Sequence, residues 1–143
     1  MSRLLNINKR NLKADFSWLA ILEKIIKHDY KLKKQISIAL LTEPEMQTLN
    51  KVYRHKNKVT DVLSFNLDSD QVLGEILICL AQARRQVREK ENTHKRELQL
   101  LTIHGILHLL GYDHEKNIKE EKKQRTTEQK ILGRLNPVKA DKK

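Results

Sequence analysis

HGILHLLGYDH, residues 104–114, places three histidines at i, i+4 and i+10 with a glycine between the second and third. On a helix His104 and His108 lie one turn apart on the same face. Gly111 can take the left-handed conformation that ends a helix and turns the chain, so that His114 folds back towards the first two imidazoles. Three neutral imidazoles converging on one point make a transition-metal site, for which one zinc ion with an open fourth position is the expected occupant. Leu98, Leu100, Leu101, Ile103, Ile106, Leu107, Leu109 and Leu110 make the segment apolar nearly all round, which is how a buried helix reads. The metal site is therefore expected at the end of a buried central helix. The competing reading makes His104 and His108 core histidines bonded to backbone carbonyls and His114 a surface residue.

The same histidine spacing with Glu after the first His would be the extended zinc-peptidase signature. Here that position is Gly105. The carboxylate that would activate water in a peptidase is missing, so peptide hydrolysis falls to a minor alternative.

Working outward, Arg3 to Asn8 alternates weakly and reads as a first strand, and QISIALL (Gln35–Leu41) reads as a central one. Between them Asp15 is expected to cap a helix through about Tyr30, with Phe16, Leu19, Leu22, Ile25 and Ile26 inward. Thr42, followed by Pro44 and by Glu45 at the capping-box position, opens a helix to about Tyr53. Val62–Phe65 and Val72–Cys79 are strands, and helices follow at roughly 80–91, 93–110 and 118–135. The short link between the third and fourth strands favours an antiparallel hairpin, while helical crossovers suit parallel pairing of the others. The expectation is one α+β domain over residues 1–143, a small mixed four-stranded sheet with about five helices, and a disordered tail from about residue 136.

A net charge of +11 favours a polyanionic partner, and nucleic acid leads that class. One tryptophan, three tyrosines and two phenylalanines are few for a base-stacking platform, so contacts are expected mainly through phosphates. The N-terminus lacks the apolar core of a signal peptide and no run approaches a membrane span. A single cysteine, Cys79, excludes an internal disulfide framework and suits a reducing cytoplasm. Its thiolate could close the metal cage; the alternative is a buried apolar cysteine at a strand end. Nothing in the pattern demands an oligomer, and a monomer is expected.

Leu49-Asn50-Lys-Val-Tyr53-Arg54, Thr60-Asp61-Val62-Leu63-Ser64-Phe65 and Leu73-Gly74-Glu75-Ile76, taken with HGILHLLGYDH, resemble the YbeY family of bacterial endoribonucleases. That pattern runs LNxxYR, TDVLSF or TNVLSF, GD/EI and HGxLHLxGYDH, and the matches keep their order over about residues 40–115. This chain departs from it in loops: His55 stands where the family usually has Gly, Val59 where Pro is common, and Asn66 where Pro often follows the Phe. The resemblance implies a mixed four-stranded α+β fold, zinc on His104, His108 and His114, and Arg54 near the metal. It also implies cleavage of single-stranded RNA, maturation of the small-subunit RNA 3′ end, and ribosome quality control with the small subunit and its proteins as partners. A ribosome assembly factor with a structural metal is the alternative.

Arg54, planar and always charged, is suited to the charge that builds on a phosphorane-like state, and otherwise is a surface arginine on a solvated loop. Lys56, Lys58, Arg84, Arg85 and Arg88 are candidates for phosphate-backbone contact; a charge stripe can equally be the wet face of a helix. Asp113 could hold a ligand imidazole or shape the turn before His114, and turn-shaping is favoured. Tyr112 is assigned to packing, Thr60 and Ser64 to turn and strand.

Overall fold

The computed structural model describes residues 3–90, 93–112 and 117–137. Among these the order is β1 (Leu5–Asn8), α1 (Leu19–Tyr30), β2 (Gln35–Leu41), α2 (Glu43–Arg54), β3 (Val62–Asn66), β4 (Val72–Cys79), α3 (Leu80–Lys90), α4 (His94–Leu109) and α5 (Ile118–Leu135). The strands form one sheet in the order β1-β2-β4-β3. β1 and β4 each run parallel to β2, and β3 runs antiparallel to β4. The expected mixed α+β sheet is what forms.

Alternation in the two central strands builds both faces of the sheet. Ile36, Ile38, Leu40, Ile76 and Ile78 are fully buried in a core shared with α1, α4 and α5. Burying each stabilises the fold by roughly 1.5–3 kcal/mol. Leu41, Leu63 and Cys79 pack with Met46 of α2 in a second, smaller cluster. Gly74 lies opposite Asn66 across the hairpin, where an added Cβ would come 2.3 Å from the Phe65 carbonyl oxygen.

The helix ends follow their capping chemistry. Thr42 and Glu45 close a capping box on α2, and the Thr93 hydroxyl accepts from the Arg96 N–H at 3.0 Å to open α4. At the far end of α4, Gly111 N–H bonds the His108 carbonyl (3.1 Å) and Tyr112 N–H the Leu107 carbonyl (3.0 Å), with Gly111 at φ +108°. That is the Schellman arrangement expected of this glycine.

Two boundaries differ from expectation. Asp15 does not cap α1: its Oδ1 accepts from the Ser17 N–H (2.9 Å), and a turn over Phe16–Leu19 delays the helix to Leu19. Asn136, placed in the expected tail, is held by exchange of side-chain hydrogen bonds with the buried Gln99. Residues 138–143 of that tail lie outside the described residues.

Candidate active site

From Glu97 to Leu110, α4 is buried except at Leu100, His104, His108 and Leu110. Three of these recur every fourth residue, so a single stripe of the helix stays open, and the two histidines occupy it. The opposite face presses on the sheet. Gly105 sits so close to β4 that an added Cβ would lie 2.9–3.0 Å from three atoms of the Ile76 side chain. Position 105 therefore cannot carry the peptidase glutamate: that side chain would run into the core instead of the open stripe.

His104 and His108 line a cleft of about 400 Å³ with Arg54, Thr60, Asp61, Val62, Leu63, Ser64 and Phe65. Arg54 reaches it from the last turn of α2, which ends in a left-handed residue, His55, at φ 57°. A non-glycine residue is costly in that conformation. The buried Asn50 steadies the loop that follows, donating from Nδ2 to the Lys58 carbonyl at 2.9 Å. Asn66 at the end of β3 donates from Nδ2 to the Leu109 carbonyl (3.0 Å), satisfying one of the last carbonyls of α4.

Behind the cleft, His104 Nδ1 donates to Glu128 Oε2 at 2.6 Å, and Gln124 Nε2 donates to the same oxygen at 3.0 Å. This hydrogen bond raises the His104 pKa above the ordinary imidazole value, against the lowering effect of burial. It also commits Nδ1 to α5, so a metal would be taken at Nε2. Imidazoles that bind metals commonly have their other nitrogen anchored to a carboxylate in this way. The donor set thus fits a zinc ion, with two imidazoles one turn apart and one oriented from behind. Among the described residues no three metal-donor side chains gather. The third predicted ligand, His114, and the neighbouring Asp113 lie outside the described residues.

Cys79 does not join His104 and His108 in such a group. It is fully buried in the second core cluster, and burial pushes its thiol pKa up. This is the apolar-cysteine reading. Tyr112 packs as assigned, edge-on to Tyr30 with ring centroids 6.4 Å apart and hydroxyls 3.2 Å apart. Thr60 and Ser64 have structural places before and within β3, yet both also line the cleft.

The basic candidates do not converge on the cleft lining. Lys56 and Lys58 stand exposed on the loop beyond Arg54, and Arg88 is exposed on α3. Arg84 donates to the Lys13 carbonyl (2.9 Å) and lines a separate cavity, while Arg85 pairs with Glu43 and Gln82.

The sequence assigns no role to several polar residues that the fold brings to the site. Asp61 lines the cleft, and its Oδ2 accepts from Gln86 Nε2 (3.1 Å), which also donates to the fully buried Glu97 (2.6 Å). Glu128 and Gln124 sit on the buried face of α5 with Ile131, Leu132 and Leu135. Their helical spacing from these apolar residues was the one available clue.

The family model for endoribonuclease YbeY matches residues 4–136. The endoribonuclease YbeY of Aquifex aeolicus is 42% identical over 106 residues, covering 71% of each chain. That of Carboxydothermus hydrogenoformans is 45% identical over 103 residues, covering 70% of this chain and 71% of its own. The Vesicomyosocius okutanii relative is 36% identical over 120 residues, covering 80% and 82%. The solution structure of TM1509 from Thermotoga maritima superposes with a TM-score of 0.64 at 30% identity, covering 96% of this chain and 97% of that one.

Proposed function

The chain belongs to the endoribonuclease YbeY family, and we propose that it cuts single-stranded RNA at a zinc ion held by His104, His108 and His114. The observation that carries the reading is the convergence of Arg54, His104 and His108, from α2 and α4, on one cleft beside the β3 strand. A zinc ion bound there would polarise a phosphoryl oxygen and bring the pKa of a bound water to about 7. The rest falls to side chains. Arg54 offers a planar cation to the scissile phosphate and to the extra negative charge that develops as the phosphodiester is attacked. Glu128 fixes the ring plane and tautomer of His104.

The +11 charge draws an RNA to this surface by phosphate attraction, with Lys56 and Lys58 beside the cleft and Arg84, Arg85 and Arg88 beyond it. Among the described residues no helix is long and apolar enough to cross a membrane. The physiological reading is maturation of the small-subunit ribosomal RNA 3′ end and ribosome quality control in the cytoplasm, with the small subunit as partner.

The test is Arg54→Ala set against His108→Ala, with metal content, thermal unfolding and cleavage of a single-stranded RNA measured on each. Arg54→Ala should keep fold and zinc while kcat falls roughly 10²–10³-fold, the usual loss for one oriented transition-state donor. Cleavage at the wild-type rate would remove Arg54 from the mechanism. Normal cleavage by folded, metal-stripped protein would remove the metal.

A further inference from the structure

Tyr53 is 60% exposed at the end of α2, immediately before Arg54. Among the described residues it is the one exposed aromatic: Phe16 and Trp18 are buried, and Tyr30, Phe65 and Tyr112 are partly so. A lone surface aromatic is ordinary. This one has a particular neighbour. Its ring packs on Phe65 with centroids 5.2 Å apart and planes at 59°, and Phe65 lines the cleft with Arg54, His104 and His108. Phe65 in turn rests on the cluster of Leu41, Met46, Leu63 and Cys79, so Tyr53 stands as a lip beside the cleft on a wall residue that the core supports.

We propose that Tyr53 and Phe65 form a base-stacking subsite that takes an unpaired nucleobase next to the phosphate held at Arg54. This rests on the ribonuclease reading for the identity of the polymer. Successive residues of a helix point about 100° apart, so the Tyr53 ring and the Arg54 guanidinium present distinct surfaces, one to a base and one to its phosphate. A base inside a duplex has both faces covered by its neighbours, whereas an unstacked base has a face to offer. Selection of single strands then follows from the lip. Aromatic stacking accepts any base, so the subsite confers strandedness with little sequence preference. The few aromatics point to contact mainly through phosphates; the fold brings two of the six to the cleft edge.

The experiment is a binding cycle on the zinc-loaded protein, read by stopped-flow anisotropy with a labelled single-stranded RNA before cleavage begins. Tyr53→Ala should weaken binding roughly 5- to 150-fold, the range for losing one stacked base. Tyr53→Phe should stay within about twofold of wild type because the ring face remains. Tyr53→Leu, which keeps an apolar contact for Phe65, should lose as much as Tyr53→Ala; its role is to separate stacking from support of the fold. Scanning a single abasic site along the RNA should reveal one position that weakens wild type by the same factor yet leaves Tyr53→Ala almost unchanged. Equal abasic losses in both proteins, or Tyr53→Ala binding within about twofold of wild type, would overturn the subsite. Cleavage without this coupling sinks the subsite alone; coupling without cleavage sinks the ribonuclease reading and leaves the subsite standing.

Discussion

The 2.6 Å hydrogen bond from His104 Nδ1 to Glu128 Oε2 ties the open stripe of α4 to the buried face of α5. Through it a helix that contributes nothing to the cleft lining controls the orientation of a residue that does. Glu128 is itself held by Gln124, one turn earlier on α5. Residue 104 is thus constrained from behind before any ligand arrives, which is how a metal site avoids the entropy of gathering loose side chains.

Glu128→Ala should therefore weaken zinc affinity about 10- to 100-fold at pH 8, measured by competition with a chromophoric chelator. Glu128→Gln keeps an acceptor without the charge and should lose less. Protons compete with the metal for His104. Because Glu128 holds the folded His104 pKa above its ordinary value, loading should fall as pH drops through that raised value. Glu128→Ala lowers that pKa and weakens the metal together, so its loading curve, fitted with the affinity measured at pH 8, should require a lower ligand pKa than wild type. A loading curve that does not move would mean the pair has no hold on the ligand.

Gly105 makes a second prediction, on stability. The fully buried Ile76 leaves no room for a methyl group at 105. Overpacking of this kind costs about 1–3 kcal/mol, and the helical preference of Ala over Gly returns at most about 1 kcal/mol. Gly105→Ala should lower stability by about 1 kcal/mol in urea denaturation, and its penalty should shrink in an Ile76→Ala background. Gly105→Glu, which rebuilds the peptidase motif on paper, should fail to fold.

How far the sequence was legible depended on how local the cause was. The i, i+4 histidines, the Gly111 stop and the Thr42–Glu45 box each act within two turns of chain, and each is where its spacing put it. Glu128 was not legible. It lies in IKEEKKQRTTEQKILGRL, where charge is so dense that one buried carboxylate resembles its solvated neighbours. Its partner is 24 residues away in the chain, and only the packing of α5 on α4 brings them together. Gln86 and Glu97 were hidden likewise, since only the packing of α3 on α4 brings them together, whereas Asp61 stood in the Thr60–Phe65 motif without a role. Tyr53 was visible as a residue but not as a lip, because its meaning comes from Phe65 across the fold.

His55 supplies a third prediction. It adopts φ 57° and ψ 31° at the end of α2, a conformation that costs a side-chain-bearing residue about 1–2 kcal/mol and glycine almost nothing. Glycine's greater freedom in the unfolded chain offsets part of that gain. His55→Gly should thus stabilise the protein by about 0.5–1 kcal/mol, seen as a higher urea midpoint with an unchanged m-value. It should leave zinc content unaltered, because His55 does not line the cleft. Destabilisation would mean that the imidazole makes a compensating contact.

Glu45 carries the last prediction, and its sign follows from where its pKa lies. Hydrogen bonds from Arg10 and from the Thr42 backbone N–H, with the Arg10 charge, hold the carboxyl down at about 2. A depressed carboxylate stabilises the fold above its unfolded value, near 4.5, and that contribution is lost as pH falls through about 2. With its side chain 37% exposed, solvent screening keeps the contribution modest. In a carboxyl-resolved NMR titration, Glu45 should report a midpoint near 2 in wild type. Arg10→Ala should move that midpoint upward, and added salt should move it the same way by screening the pair. Glu45→Gln should cost stability at pH 7 and progressively less as the wild-type carboxylate is protonated. If Glu45 titrates with the ordinary carboxylates, the capping box works without its link to Arg10, and the loop after β1 is held by other contacts.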